Sequence, residues 1–464
     1  MNWMREVLKR KEEIISDAQT FLKIKSVLDP STIGEGAPFG TGIRRALEHL
    51  LQKGEKDGFQ VKNLDGYAGH IEMGKGKKIV GVLCHVDVVP EGDGWSFDPY
   101  GATIHDGKIY ARGALDDKGP TMAVYYAMKI VKELGLPLSK RVRMIIGTDE
   151  ESDWRCVDHY FKHEEMPDIG FAPDADFPII HAEKGIIDAV FSVNSVNKHA
   201  AGKYVLKSFS SGRRFNMVPD FAKAVLGNVQ NFSEVEKSFK QFLSASQLKG
   251  RMYQNEEGAV AELEGISAHA MEPDNGKNAG IYLANFLSAL PLDGEGKGFV
   301  DWINRYFYQD TRGKKLDIST QDEISGELTV NVGIIHYEKD KEKTVSINIR
   351  YPVTKKGSEI KEKLEKIADC QLIHFSDSAP HYVEQNHPLI QTLKKVYEEQ
   401  TGQKAELISI GGGTYARSLK AGIAFGPLFP GREDIAHQKD EYIYIEDLLK
   451  ATAIYAQAIY ELAK

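Results

Sequence analysis

The chain has 464 residues, a length that predicts about two domains rather than one. Its composition, with 42% hydrophobic and 27% charged residues, is typical of a globular enzyme and excludes a disordered or fibrous chain. A net charge of −8 without a basic cluster excludes the cationic surface that nucleic-acid binding requires, so no nucleic-acid partner is predicted.

The cysteines and the N-terminal segment predict a cytoplasmic location. Cys84, Cys156 and Cys370 lack the spacing of disulfides or metal sites, which indicates reduced thiols. Residues 1–13 are dense in charge and lack the apolar core of a secretory signal. No segment approaches the ~18 consecutive apolar residues of a membrane span, so no membrane partner is expected.

The first half of the chain predicts an α/β layer. Residues 4–22 carry apolar side chains at helical spacing, which predicts one amphipathic helix. Residues 79–89 and 142–147 are rich in β-branched residues and predict two buried strands. Between them, residues 120–134 open with proline and predict a buried helix. Strand, helix and strand at this spacing predict a mostly parallel sheet.

The middle of the chain differs in pattern from both ends. Residues 191–376 alternate strand-like pieces, charged helices and turns rich in Gly or Asn. The α/β pattern of the first half then returns, with a predicted helix over 388–400, a strand over 405–410 and a final helix over 445–462. We therefore predict a two-domain chain, with a discontinuous α/β domain (1–190 and 385–464) and an inserted domain (191–384).

Two predicted secondary-structure boundaries carry side chains that suit a metal site. His85 and Asp87 close the first strand, where alternation would place them on one side. A carboxylate beside a histidine can orient the ring for metal binding, although a core histidine with a capping aspartate explains the pair as well. Asp116 and Asp117 directly precede the buried helix, where helix capping is the simpler interpretation and a metal bridge the alternative.

Three consecutive acids, Asp149, Glu150 and Glu151, follow the second strand. They repel one another unless cations lie among them, and a solvated loop is the alternative. Of two neighbouring glutamates, one can bind a metal while the other takes a proton from an activated water.

Asp174 and His437 are each ambiguous alone, since a loop histidine is more often a surface residue than a ligand. Together with the preceding acids and His85, they fit two divalent ions about 3.5 Å apart that share a carboxylate. The absence of cysteine from this set suits zinc, cobalt or manganese, whereas magnesium is expected to prefer oxygen ligands only.

Five groups of motifs follow one another along the chain. They are HVDVVPEGDGW, ARGALDDKGPTMA, GTDEES, FAPDADFPII with HAEKG, and SIGGGTYAR with GREDIAHQKDE. In this order they resemble the PepV-type dipeptidases, whose clan also holds carboxypeptidase G, aminoacylase, carnosinase and succinyl-diaminopimelate desuccinylase, and the resemblance covers essentially the whole chain. It implies a catalytic domain with a zinc-peptidase-like fold, and an α+β lid domain for the inserted segment.

The resemblance implies a role for each of these side chains. Asp87 would orient His85, Glu150 would be the general base, and the peptide bond between Asp116 and Asp117 would be cis. The implied metal ligands are His85 and Asp174 for one ion, Glu151 and His437 for the other, and Asp116 for both.

Three further roles fall in the inserted segment. The resemblance implies that His269 steadies the oxyanion with the help of Asn216, and that Arg350 grips the C-terminal carboxylate of the substrate. A surface histidine, a turn asparagine and a solvated arginine are the alternatives.

The glycine run lies between a predicted strand and a predicted helix. It lacks the Lys-Ser/Thr pair of a nucleotide loop, so phosphate binding is not expected. Backbone N–H groups at a helix start can hold the substrate carboxylate, and a tight turn is the alternative. The candidate substrate-binding residues are Gly411, Gly412, Gly413, Thr414 and Arg417.

The sequence therefore predicts a monomeric metallodipeptidase that hydrolyses dipeptides with two divalent ions, zinc favoured, and Glu150 as base. The monomer follows from a lid that supplies its histidine within one chain. Two alternatives stay open: a related amidohydrolase (an aminoacylase, a desuccinylase or a tripeptide-trimming peptidase) and a two-domain binding protein without chemistry.

Overall fold

The computed structural model describes residues 1–194 and 200–464, which form two compact units. The predicted inserted domain, 191–384, stays a prediction. The first unit comprises Met1–His181, Tyr382–Ile408 and Gly413–Lys464, and the second comprises Ala182–His381 and Ser409–Gly412.

A nine-stranded mixed sheet is the centre of the first unit. Its four middle strands are parallel, and antiparallel strands lie on either side of them. Ile79–His85 is buried along its whole length, as expected for a parallel strand covered on both faces. The middle strands, in spatial order, are Arg141–Gly147, Ile79–His85, Ile169–Ala172 and Gly422–Ala424; the outer ones are Gln60–Leu64, Ala68–Gly74, Ile179–Glu183, His381–Tyr382 and Leu407–Ile410.

The helices and small sheets complete the first unit. The almost fully buried helix Lys118–Glu133 packs on Ile445–Ala463, and these two with Pro388–Thr401 confirm three predicted helices within two residues. The other helices are Trp3–Leu8, Lys11–Leu22, Thr41–Lys56 and Arg155–His163, and the small sheets contain Thr103–His105, Lys108–Tyr110 and Tyr442–Tyr444, and Ala175–Asp176 with Pro427–Leu428.

Two predicted elements differ from the structure. The single helix predicted over 4–22 was wrong, because the chain turns at Lys9 and Arg10 and the Arg10 guanidinium donates to the Glu6 carbonyl (2.8 Å) at the end of the first helix. The strand predicted over 79–89 ends at His85, because the N–H of Val88 leaves the sheet and donates to the carbonyl of Ser26 (3.0 Å).

The second unit is built on an eight-stranded antiparallel sheet with helices, an α+β arrangement. Its hydrophobic core includes Phe191, Phe299 and Trp302. The strands, in spatial order, are Lys249–Asn255, Gly258–Glu264, Phe221–Gly227, Val205–Ser211, Thr329–Glu338, Lys343–Tyr351, Gly185–Val193 and Cys370–Ser378; a hairpin joins Gln321–Asp322 to Gly326–Glu327, and the helices are Phe232–Ser246, Ala279–Ser288, Gly294–Phe307 and Gly357–Leu364.

Within the described ranges 1–194 and 200–464, no helix combines the length and apolar character that crossing a bilayer demands.

A buried histidine lies among charged groups in the first unit. His70, 7% exposed, has its Nδ1 2.8 Å from the hydroxyl of Tyr160. Burial, and then the positive charge of Arg143, lower the pKa of His70 to about 4. His70 is therefore neutral in the folded protein at neutral pH.

Acidification is expected to destabilise the first unit through His70. The unfolded chain protonates His70 below the ordinary pKa of about 6.5, whereas the folded chain does so only near 4, so stability falls as pH falls through this window. Urea titrations measure how far the unfolding free energy falls between pH 7 and about pH 4.5. This fall should be roughly 2–3 kcal/mol smaller in His70→Gln than in the unmodified metal-free protein. Substitution of the exposed His163 by Gln is the control, and an equal acid loss in both variants would contradict the assignment.

Candidate metal centre

Acids and one imidazole meet where the parallel strands end. His85 is the last residue of one strand, Glu150 and Glu151 follow the next, and Asp174 follows a third. Because the carboxyl ends of parallel strands lie at one edge of a sheet, residues that are far apart in sequence converge there.

Two loops bring the remaining predicted ligands to this edge. Asp116 precedes the helix Lys118–Glu133, and the peptide bond between Asp116 and Asp117 is cis, which confirms that prediction. His437 is exposed, in a loop before the strand Tyr442–Tyr444, and its φ of 63° lies in the left-handed region that non-glycine residues rarely adopt. Such sparsely populated conformations cluster at functional sites.

The predicted ligands form two clusters that share one carboxylate. Nε2 of His85 lies 3.0 Å from Oδ1 of Asp116 and 3.7 Å from Oδ1 of Asp174. Nε2 of His437 lies 3.0 Å from Oδ2 of Asp116 and 3.0 Å from Oε1 of Glu151. In each cluster the potential ligand atoms lie within 4.8 Å of one another. Asp116 thus offers one oxygen to each cluster.

Asp87 connects the two clusters through its main chain and its side chain. Nδ1 of His85 lies 2.9 Å from the carbonyl oxygen of Asp87 and 3.5 Å from its Oδ1, so the main-chain contact is the closer one. Oδ2 of Asp87 accepts a hydrogen bond from the N–H of Glu151 (2.9 Å). These contacts leave Nε2 of His85 directed at the carboxylates.

Burial and like charge dominate the electrostatics of this edge. Burial, followed by the charge of Asp116, raises the pKa of Asp174 to about 6 and that of Glu151 to about 7. Burial and the charge of Asp174 raise the pKa of Glu150 well above its usual range. Hydrogen bonds to Asp116 and Glu151 raise the pKa of His437 to about 11. Without cations, protons must therefore compensate the clustered negative charge.

The donor set fits divalent cations on its own chemistry. Two imidazole nitrogens and three carboxylates provide nitrogen and oxygen ligands around a shared bridge. Cations placed among these groups would replace the protons and remove the mutual repulsion. The two clusters are therefore candidate ligand groups for divalent metal ions.

Two residues predicted in the second unit lie on adjoining segments. The N–H of Ala270 donates to the carbonyl of Asn216 (2.9 Å), and Met217 pairs with His269 in an isolated β-bridge. Both Asn216 and His269 are exposed. The structure therefore brings this predicted pair together, and their catalytic roles stay predictions.

Arg350 is 4% exposed, so the alternative of a solvated arginine was wrong. It donates to Oδ1 of Asn348 (2.7 Å) and to the carbonyl of Gly411 (3.0 Å), which links it to the glycine run. A side chain at Gly411 would meet Cβ of Met271 at 2.7 Å, so the backbone approach there requires glycine, whereas a side chain at Gly412 would make only an ordinary contact with Cδ1 of Ile410 at 3.9 Å.

The rest of the glycine motif belongs to the first unit. The helix predicted after it is only a single 3₁₀ turn, Tyr415–Ser418, which ends before the strand Gly422–Ala424 begins. A side chain at Gly413 would meet Nη1 of Arg417 at 2.3 Å, so glycine lets this arginine fold back over the turn that follows Thr414.

Sequence reasoning missed the supporting contacts of two carboxylates, Glu441 and Asp117. Glu441 is buried, and its Oε1 accepts hydrogen bonds from the N–H groups of Leu115 (2.8 Å) and Asp116 (3.1 Å). Asp117 accepts from the N–H of His85 (3.1 Å) and makes no side-chain cap, so the capping interpretation was wrong for it. Glu441 lies within the GREDIAHQKDE motif, but no spacing rule connects it to Asp116.

Comparison with known proteins places the chain in a family. It matches Peptidase family M20/M25/M40 over residues 81–461. A relative from Bacillus subtilis (strain 168), “Putative dipeptidase YtjP”, is 61% identical over 464 residues, 100% of both chains. Another relative of the same general name, from Staphylococcus epidermidis (strain ATCC 12228 / FDA PCI 1200), is 43% identical over 467 aligned residues, 99% of each chain.

Two solved structures share the fold. Aminoacylhistidine dipeptidase from Vibrio alginolyticus has a TM-score of 0.58 at 15% identity and covers 96% of each chain. Aminopeptidase PepT from Bacillus cereus ATCC 10987 has a TM-score of 0.56 at 16% identity, over 98% of this chain and 99% of that chain. The resemblance predicted from the motifs is thus confirmed, and the chain belongs to Peptidase family M20/M25/M40 and is a peptide hydrolase.

Proposed function

We propose that the chain is a dipeptidase that binds two divalent cations and uses Glu150 as its general base. The observation that carries this proposal is Asp116, whose two oxygens each face a different imidazole, His85 and His437, within two separate ligand clusters. The relatives from Bacillus subtilis and Staphylococcus epidermidis, which are named as dipeptidases and match the full length of the chain, support the substrate class.

In the proposed site His85 and Asp174 hold one cation, Glu151 and His437 hold the other, and Asp116 is shared. The nitrogen and oxygen donors favour zinc, with manganese or cobalt as alternatives. When bound, the two cations supply Lewis acidity that polarises the scissile carbonyl and acidifies the attacking water. Asp87 fixes the orientation of His85 and the main chain of Glu151.

Glu150 is proposed to move the proton. Among the described residues, Glu151 belongs to a ligand cluster and Glu150 does not, so the carboxylate of Glu150 stays available to the substrate. It takes a proton from the attacking water and delivers it to the departing amino group. Burial and negative neighbours raise its pKa, and positive ions nearby would lower that pKa again and favour the ionised form that accepts a proton.

The predicted roles of His269, Asn216 and Arg350 in binding the substrate belong to this proposal, as do a cytoplasmic location and a monomeric state. So do the predicted contacts of the glycine motif, from Gly411 to Gly413 with Thr414 and Arg417.

Replacing Glu150 should separate chemistry from metal binding. Glu150→Gln keeps the size of the side chain but cannot accept the proton, so kcat is expected to fall roughly 10³-fold. Metal content and the melting temperature should stay unchanged. Asp153→Asn, in the same loop and exposed, is the matched control with near-normal kcat. Near-normal turnover of Glu150→Gln would rule out this base.

Metal binding should neutralise the negative charge of both clusters and release protons. At pH 7 the imidazole of His437, with a pKa of about 11, carries a proton that a cation must displace, and Glu151 is partly protonated. Affinity should therefore rise with pH between about pH 6 and about pH 8.

Zinc titration of chelator-treated protein by calorimetry, in buffers of different ionisation enthalpy, measures this release. Two zinc ions per chain are expected, falling toward one in His437→Gln and staying at two in the exposed control His105→Gln. Binding of a single ion by the unmodified chain would contradict the two-cation site.

The substrate class is tested with free dipeptides, N-acyl amino acids and tripeptides at equal concentration. Free dipeptides should give the highest kcat/KM, with all hydrolysis lost in chelator and restored by zinc. Hydrolysis of N-acyl amino acids alone would favour the aminoacylase alternative, and binding of peptides without turnover would favour the non-catalytic alternative.

A further inference from the structure

We propose that Glu441 and Arg112 are positioning residues that set the affinity of the cation held by Asp116, Glu151 and His437. The pair ties the loop that carries Asp116 to the loop that carries His437. This inference rests on the proposed function, because it assumes a two-cation centre.

Glu441 fixes the main chain of the loop that carries Asp116. Its carboxylate is fully buried, and Oε1 accepts two hydrogen bonds from successive main-chain N–H groups, those of Leu115 (2.8 Å) and Asp116 (3.1 Å). Hydrogen bonds to a charged acceptor are stronger than those between neutral groups. The backbone that presents the shared carboxylate is therefore fixed by a residue more than 300 positions away.

Arg112 holds the loop of His437. Its guanidinium, 1% exposed, donates to Oε2 of Glu441 (2.6 Å) and to the carbonyl of Gln438 (3.1 Å), and lies 3.4 Å from the carbonyl of His437. His437 has a left-handed backbone conformation that costs free energy, so the loop needs such external contacts to keep it.

The same guanidinium reaches a third segment, which follows Asp87. Its Nη2 lies 3.3 Å from the carbonyl of Glu91 and 3.4 Å from that of Pro90, and the group lies over the ring of Trp95 at 5.2 Å. One buried ion pair thus joins three loops that carry candidate ligands or the residue that orients His85.

The second cluster should depend most on this pair. His437 is exposed and comes from a loop, whereas His85 is buried at the end of a strand of the central sheet. The sheet fixes His85 independently of Arg112, but the distance between His437 and Asp116 (3.0 Å) depends on the two loops that the pair connects. Loss of such outer contacts typically costs ~10–100-fold in metal affinity.

The chain offers a matched pair for control. Arg143 and Glu72 form another buried ion pair (2.5 Å) in the same unit, with side chains 4% and 9% exposed. Their other ionic partners are Glu164, Glu165 and Arg141, which are not candidate ligands. Removing this pair therefore tests the loss of a buried ion pair alone.

The test compares two double variants. One combines Arg112→Met and Glu441→Gln, the other, the control, combines Arg143→Met and Glu72→Gln, and neither leaves an unpaired buried charge. Zinc affinities of the metal-free proteins are measured by competition with a chromophoric chelator, and the cobalt-loaded forms by their visible absorption. In the first variant we expect the second zinc, held by Asp116, Glu151 and His437, to bind ~10–100-fold more weakly than in the unmodified protein. The affinity of the other zinc should stay within about threefold of its unmodified value. The absorption of the second cobalt should shift, while both zinc affinities in the control stay within about threefold.

Equal affinities in the first variant and the unmodified protein, or equal losses in both variants, would overturn the inference. If the first double variant does not fold, Glu441→Gln alone is measured, since it keeps the shape of the side chain but removes the charge that strengthens the hydrogen bonds from Leu115, Asp116 and Arg112. An unchanged second affinity there would overturn the inference as well. An unmodified protein that binds fewer than two zinc ions would instead overturn the proposed function.

Discussion

The repulsion among carboxylates at one edge of the central sheet is the constraint on which the rest of the site depends. Asp116, Glu151 and Asp174 lie close enough together that their charges need compensation, and burial, followed by the charge of Asp116, raises the pKa values of Glu151 and Asp174. Such clustering destabilises a fold unless cations or protons enter it. Parallel strands and buried supports hold these groups together for function rather than for stability.

The fold solves this problem through strand direction. Parallel strands present their carboxyl ends at one edge, so the candidate ligands His85, Glu151 and Asp174 end or follow largely buried strands. Asp116 and His437 come from loops, and the loop of His437 is bound by Arg112 and by Asp440, whose carboxylate accepts from the N–H of Ser96 (2.6 Å).

The sequence allowed the inner part of the site to be predicted because strand ends are marked by β-branched runs followed by acids. The antiparallel flanks of the sheet escaped prediction because they depend on tertiary hydrogen bonds. The break at Lys9 and Arg10 escaped because apolar spacing does not show that the Arg10 side chain donates to the Glu6 carbonyl. Glu441 and Arg112 escaped for the same reason: their partners lie more than 300 residues away, and residue type alone does not distinguish a buried ion pair from a surface one. The resemblance supplied roles for His269 and Arg350 that spacing alone did not.

The position of His437 late in the chain has a consequence for biosynthesis. A ribosome-bound chain can complete the strand that ends in His85, and the acids after the next strand, long before it delivers the imidazole that the second cluster needs. During that interval the proposed metal centre lacks His437, so the growing polypeptide would not yet carry a complete active site. In the proposed function, the onset of activity is thereby tied to synthesis of the segment that carries His437.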